Sequence, residues 1–507
     1  MFTEINLSNN NNLAIQVNYP GCEIAPSLQL KLLIMSSCNI EQNTLLKPKF
    51  LKSQVDLQVL DLSHNKLLGP SPNFLFLNNT KLKYLNLRNN SLVSAMNLQL
   101  YPKAPILAID LSQNNIDGLI PNNISLMFPH LISLNISGNN FSGNVPLSLC
   151  KLSNMSFLDL SNNSFSGEIP NCIFTNCTSL WILKLSDNNF NGTIFGVANK
   201  LPPSLTRLYL DGNNMTGSFP ANLPTYEELS VLDLNGNQLS GPLPQSIGNL
   251  YHIRILNLAG NNLDGVIPHQ LCNLTSLAYL DLTGNNFNGS MPFCSHPLNI
   301  SSVYLSSNAL VGSSPYHTFN FSTIEILDLS KNQFSGSLHW IGALEAIRLL
   351  SLRENQFEGT LSQNICHLNN LRILDLSANN LEGILPLCLF KLPFQAAPGY
   401  SDYFWELTNE FNMIGIDSSW EDVSIDVVYP THDDLQHFSF ATKGSFYNFS
   451  TVFFGLLSGV DLSRNKFSGL IPPGIRNTNP IQVLNLSHNM LTGPIPKTIS
   501  HFRHIES

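Results

Sequence analysis

The sequence predicts an α/β-type leucine-rich-repeat solenoid with a curved parallel sheet on its concave face, interrupted by one insertion outside the repeat. Three observations carry the prediction. A leucine motif returns every 23 to 25 residues from Leu82 to Leu371. Each copy continues into Asn, Gly and Pro at set offsets. The period breaks once and resumes at Leu457.

The copy Leu229-Ser-Val-Leu232-Asp-Leu234-Asn-Gly-Asn237-Gln-Leu239-Ser-Gly241-Pro-Leu243-Pro244 shows what each position does. Leu229, Leu232 and Leu234 alternate along a short strand, so they point inward while the residues between them face out. One such strand cannot bury its apolar side alone, and stacked copies can. The amide of Asn237 can bond backbone groups that the bend would strand. Gly241 suits a turn that needs permissive backbone angles, and Pro244 fixes φ and ends the segment.

From the N-terminus, a degenerate copy starts at Phe2 and further copies at Leu30 and Leu57, with longer steps that place extra loop near Cys22 and Pro48. Regular copies then fill residues 57–394. The step from Leu371 to Leu457 is 86 residues, which leaves an insertion of 62 beyond one 24-residue repeat, placed at 395–456. Within it Val423, Ile425, Val427 and Tyr429 alternate with polar residues, Pro430 to Asp434 reads as a turn, and Phe438 and Phe440 alternate again. This pattern predicts a β-hairpin over about 423–442, held by aromatics such as Phe404, Trp405, Phe411 and Trp420. Residues 457–507 return to the repeat and break off in a third copy at Ile505.

Only 12% of residues are charged, and the net charge of −9 argues against nucleic acid as a partner. The insertion holds nine acidic residues against the single Lys443, so nearly all the net charge sits there. About seventeen Asn-x-Ser/Thr sequons point to a secreted, glycosylated surface, among them Asn78, Asn123, Asn154, Asn176, Asn191, Asn214, Asn273, Asn299, Asn320 and Asn448. Asn135 and Asn485 complete sequons too, but on strands. Cys150 and Cys172, Cys272 and Cys294, and Cys366 and Cys388 are each 22 residues apart, two short of a repeat, which places each pair on neighbouring coils. Three disulfides are expected, as suits an oxidising compartment; the competing reading makes these recurrent buried thiols. Cys38 stands at an Asn position and reads as a buried free thiol, while Cys22 and Cys177 have no assigned partner. Neither a leader nor an apolar run of membrane-spanning length is read in the row, so the sequence reads as truncated at both ends.

These residues resemble a family. The LxGxIP repeat is similar to the plant extracellular class, and the order of segments resembles plant receptor-like proteins, cell-surface receptors without a kinase. The match rests on Leu57 to Asn65 with Asn78 to Leu82, on Phe440-Ala-Thr-Lys443-Gly444, and on Ser458 to Ser463 through Leu484 to Pro496 and Ile505 to Ser507. The resemblance implies that residues 395–456 are an island domain, with a short repeat block and a membrane anchor after it. It further implies recognition of an extracellular peptide, protein or glycan, signalling in defence or development through an adaptor kinase and a somatic-embryogenesis-type co-receptor kinase, and residence at the plasma membrane facing outward. The anchor is missing from this sequence. A receptor-kinase ectodomain and a secreted decoy or inhibitor are the alternatives.

Departures from the repeat mark candidate ligand contacts, because aromatics and Arg on an exposed sheet dominate binding energy. Consecutive coils carry Trp181 and Lys184, then Arg207, Tyr209 and Asp211. Further on, Tyr304 replaces the usual Asp, and Arg348, Arg353 and Glu354 form a charged cluster beside the insertion, where Lys443 is another candidate contact. Surface drift without a partner is the competing reading. Asp61, Asp110, Asp159, Asp233, Asp281, Asp328 and Asp375 read as solvated filler. The acidic insertion either docks on the Arg348 and Arg353 patch, gates the concave surface, or clamps the gap between repeats. No enzyme is expected: Ser63-His64 and Ser487-His488 repeat one motif position without an orienting acid. No metal or cofactor is expected either, since His432, Asp433, Asp434 and His437 give only a weak ligand spacing.

Overall fold

The computed structural model describes the chain except residues 1–2, 11–28, 41–50, 52, 71–74, 76–79, 95–104, 195–200, 390–391, 393–414, 420–421, 427–436, 443–444, 451–457, 474–480 and 502–507; it describes 415–419, 422–426, 437–442, 445–450 and 500–501 by their backbone alone. Contacts divide it into two units, one of residues 1–217, 226–238 and 412–428, the other of residues 218–225, 239–411 and 429–507.

In the first unit the LxxLxL segments form parallel strands of three residues, from Glu4–Asn6 through Val59–Asp61, Phe157–Asp159 and Arg207–Tyr209 to Val231–Asp233. Each pairs with its neighbour one repeat away, as Phe157 with Ile182, Ile182 with Arg207 and Arg207 with Val231. The flanking leucines go to the core: Leu180, Leu183 and Leu185 have no exposed surface. Phe141, Phe165 and Phe190 continue that core as a stack of parallel rings with centroids 6.1 Å apart.

The asparagine that ends each strand is a four-bond clamp. Asn188 is buried; its Nδ2 donates to the Leu185 and Ser186 carbonyls of its own turn at 3.3 and 3.0 Å and to Leu160 of the preceding coil at 3.0 Å. Its Oδ1 accepts the N–H of Phe165, also in the preceding coil, at 2.9 Å. Cys38 takes this place in its coil and bonds through its thiol to the Leu7 carbonyl at 2.9 Å.

The segment after each Asn is a second strand, which the repeat pattern alone did not indicate. Asn140–Gly143, Ser164–Glu168, Asn189–Thr193 and Asn214–Gly217 pair in parallel as a second sheet. Its glycines have positive φ, +83° at Gly192. A Cβ there would meet Glu168 Cγ at 2.8 Å, so the absent side chain makes room for the residue one coil back. Prolines at the LxGxIP position precede the third side of each coil, where Pro146 stands at the N-cap of the 3₁₀ turn Leu147–Lys151. Pro fits there because its missing N–H is one the turn would not use.

The second unit repeats this plan from Ile255–Asn257 to Val483–Asn485. Ile373–Asp375 pairs directly with Gly459–Asp461, and Leu381 N–H donates to Asn465 Oδ1 at 3.0 Å. The sheet therefore continues in register across the intervening sequence. Disulfides Cys272–Cys294 and Cys366–Cys388 join adjacent coils here, with Cα atoms 5.5 and 5.7 Å apart, as Cys150–Cys172 does in the first unit at 5.5 Å. All six cysteines lie away from the strand face.

The hairpin expected over about 423–442 is replaced by two. Gly415–Ser419 pairs antiparallel with Asp422–Asp426, and His437–Thr442 with Ser445–Ser450. In each pair two residues separate the strands in sequence, and so short a closure costs less chain entropy than the longer connection between 426 and 437. Phe404, Trp405, Phe411, Trp420 and Cys22 lie outside the described residues.

Candidate ligand-binding faces

Three rows of outward side chains cross each strand sheet. In the first unit the middle row runs Asp61, Asn86, Asp110, Asn135, Asp159, Lys184, Tyr209, Asp233. The aspartates are not solvated filler. Asp159 is 8% exposed and Asp233 1%, and the row is tied to the coil: Ser161 and Asn235 backbone N–H groups donate to Asp159 and Asp233 at 2.9 and 3.0 Å. Asn135 Nδ2 reaches across to Asp110 Oδ2 at 3.3 Å. Burial raises the carboxyls of Asp61 and Asp110 above their usual range, opposed by the bonds from Ser63 and Ser112. The cause is stacking, since each carboxylate is covered by its neighbours one coil away.

Trp181, Lys184, Arg207, Tyr209 and Asp211 are brought together. In the paired register Lys184 lies beside Tyr209 and Ile182 beside Arg207. Lys184 Nζ sits 4.8 Å from the centroid of the Tyr209 ring. Arg207 Cζ is 6.0 Å from the centroid of Trp181. Ser186 Oγ donates to Asp211. The layers differ in exposure: Trp181, Lys184 and Asp211 are half-buried, whereas Arg207 and Tyr209 are buried at 8% and 4%. The expectation that all of these project freely is corrected, because aromatic and cationic side chains one repeat apart pack on each other. What meets solvent is Trp181 and Lys184, seated on Arg207 and Tyr209.

In the second unit Tyr304 is 2% exposed, and burial, followed by the charges of Asp281 and Asp328 on the neighbouring strands, raises its phenol well above the usual range. Its ring packs at 5.5 Å on Tyr279. It is an outward member of the middle row, covered by its neighbours one coil away rather than open to a ligand. Arg348, Arg353 and Glu354 take part in two ion pairs. Arg348, half-buried, pairs with Glu325 at 3.3 Å, while Arg353, 6% exposed, pairs with Glu354 at 3.5 Å. Glu325 and the buried Arg372 were missed; both occupy the row of Arg348, one coil before and one after, and reading that row across repeats would have found them. Asp375, 1% exposed, lies in register with Asp461 on the next strand. Burial, then the Asp461 charge, lifts its carboxyl to about 7.

Lys443 and the His432, Asp433, Asp434 stretch lie outside the described residues, as does Asn78; the side chain of Asn448 is not considered. Asn154, Asn176, Asn191, Asn214, Asn273 and Asn299 are exposed; Asn123 and Asn320 are half-buried. Cys38 and Cys177 are buried free thiols. Among the described residues no group of three or more His, Cys, Asp or Glu could hold a metal ion, and no helix is long and apolar enough to cross a membrane.

Comparison with known proteins follows the repeat. Residues 227–287 match a leucine rich repeat family model, and 56–77, 130–152, 154–176, 204–225, 370–392, 457–478 and 480–502 match a second model of the same description. The chain is 45% identical over 69 residues to Receptor-like protein 15 of Arabidopsis thaliana, a stretch covering 14% of this chain and 7% of that protein. The fold is similar to that of the plant peptide hormone receptor RGFR1 in complex with RGF2, with a TM-score of 0.72 and 24% identity over 94% of this chain and 65% of that one. The PEPR1–AtPEP1 structure gives 0.69 and 25% over 94% and 61%.

Proposed function

Because this chain is a plant leucine-rich-repeat protein related to Arabidopsis receptor-like proteins and to receptor-kinase ectodomains, we propose that it is the recognition ectodomain of a cell-surface receptor-like protein. It binds an extracellular peptide on its strand face. Signalling passes to an adaptor kinase and a co-receptor kinase, in defence or development. Residues 395–456 serve as the island domain, with Lys443 as a ligand contact, and residues 457–507 as the repeat block beyond it. Glycans on the exposed sequons and the three disulfides belong to the outside of the cell.

The observation that carries this reading is the Trp181 and Lys184 layer seated on Arg207 and Tyr209. Lateral support fixes the two outer side chains before any ligand arrives, which lowers the ordering cost of binding. Peptide is favoured over glycan because the similar fold of RGFR1 is that of a plant peptide hormone receptor in complex with RGF2. A receptor-kinase ectodomain is the second reading, favoured by the 94% of this chain that matches the ectodomain of the Arabidopsis receptor kinase HAESA, at 25% identity and a TM-score of 0.58.

The test is capture of peptides from plant extracellular fluid on the immobilised, secreted protein, read by mass spectrometry against the variants Trp181→Ala and Lys184→Glu. A species held by the wild type and lost from both variants is expected. An identical set on all three proteins overturns the assignment of this face.

A further inference from the structure

A groove of about 830 Å³ opens in the first unit between the second sheet and the third side of the coils. Its rim is made by exposed Asn144, Glu168, Asn171 and Thr193, its wall by Leu147 and Pro170 among others. Among the described residues the side chains of Asn144, Glu168 and Asn171 make no hydrogen bond to protein. Two amides and a carboxylate offer donors and acceptors side by side, which suits vicinal hydroxyls, while Leu147, 71% exposed, and Pro170 offer an apolar surface to the C–H face of a pyranose.

The register supplies the occupant. Asn191, exposed and part of the sequon Asn191-Gly192-Thr193, lies directly across from Glu168 in the second sheet. Asn191 and Thr193 are both exposed, and Thr193 itself lines the groove. Between them Gly192 has no side chain, and the Glu168 stem lies over it, within 2.8 Å of where a Cβ would stand. A sugar attached through Asn191 Nδ2 therefore starts beside Glu168, at the separation of opposed side chains on neighbouring strands.

We propose that the groove is a seat for the chain's own N-glycan at Asn191, with Glu168, Asn144 and Asn171 binding its core sugars. The seated glycan covers the Leu147 wall and ties one coil to the next. The inference rests on the extracellular placement proposed above.

The test uses the whole chain secreted with high-mannose glycans and treated, folded, with an endoglycosidase that cuts within the chitobiose core; site-resolved mass spectrometry follows each sequon. The Asn191 glycan is expected to be released about tenfold more slowly than the Asn176 glycan on the same molecules, as for a protected site. The exposed-residue variant Asn144→Ala/Glu168→Ala, checked for an unchanged circular dichroism spectrum, is expected to abolish the difference. Equal release in the wild type, or protection that persists in the variant, overturns the proposal. So does an unmodified Asn191 beside modified Asn154 and Asn176, an outcome that leaves the extracellular placement standing. In a second arm, free chitobiose-core oligosaccharide is titrated into wild type and Asn191→Gln. Binding by Asn191→Gln alone supports an attached occupant, and equal binding by both makes the groove a site for soluble sugar instead.

Discussion

Asp375 sits at 1% exposure with Oδ1 held by Ser377 and, among the described residues, no hydrogen-bond partner for Oδ2. Its carboxyl, lifted to about 7 from an ordinary 3.8, takes up its proton more readily folded than unfolded. Below about pH 4 both states are protonated and there is no penalty. Between that point and about pH 7 the unfolded state releases its proton first, so stability falls as pH rises. Thermal unfolding at pH 5 and pH 8 should show a loss of about 2–4 kcal/mol at the higher pH, and Asp375→Asn should remove most of it. A flat profile in the wild type would disprove the linkage. Asn188 acts at the same scale by a different route. Asn188→Ala leaves three carbonyls and one N–H buried with fewer partners, and a urea titration should register a loss of about 2–4 kcal/mol.

Within the second sheet, two glycines separate backbone geometry from crowding. Gly359 and Gly383 have φ of +80° and +81°, yet a Cβ would meet nothing within 4 Å at the first and Thr360 Cγ2 at 2.8 Å at the second. Both Gly→Ala changes should cost about 1 kcal/mol for the left-handed backbone. Gly383→Ala should cost about 1 kcal/mol more for the contact, read as a larger shift of the denaturation midpoint. Such pairs also show what the sequence could not tell. The strand after Leu229, the Asn clamp and the disulfide spacing were legible because they recur at one offset inside each repeat. The second sheet was not, because its short strands run through Asn and Gly positions that read equally well as a turn. Tyr209 and Tyr304 looked exposed for another reason: whether a middle-row side chain is open depends on what stands 24 or so residues before and after it. The two hairpins beyond residue 414 were misjudged where one alternating run was joined to another across a long connection.

Within each unit of the molecule a coil touches only its neighbours, so damage should spread by proximity. Phe165, fully buried between Phe141 and Phe190, is the central ring of the first unit's stack. Phe165→Ala should cost about 3–5 kcal/mol. Hydrogen exchange should accelerate in the coils from about 131 to 210 and stay unchanged around Phe334 and Phe357, whose own rings stack in the second unit. Uniform acceleration along the chain would mean that the coils unfold as one body instead.

The asparagine clamp has a genetic consequence. Its bonds run within one coil and back to the coil before, as Asn188 does to Leu160 and Phe165. No bond in the clamp counts how many coils lie further along. Unequal crossing-over that adds or removes a whole repeat therefore leaves every clamp with a partner of the same kind, while a change of half a repeat strands two. The gene can lengthen or shorten the strand face in whole-coil steps and keep a foldable product at each one.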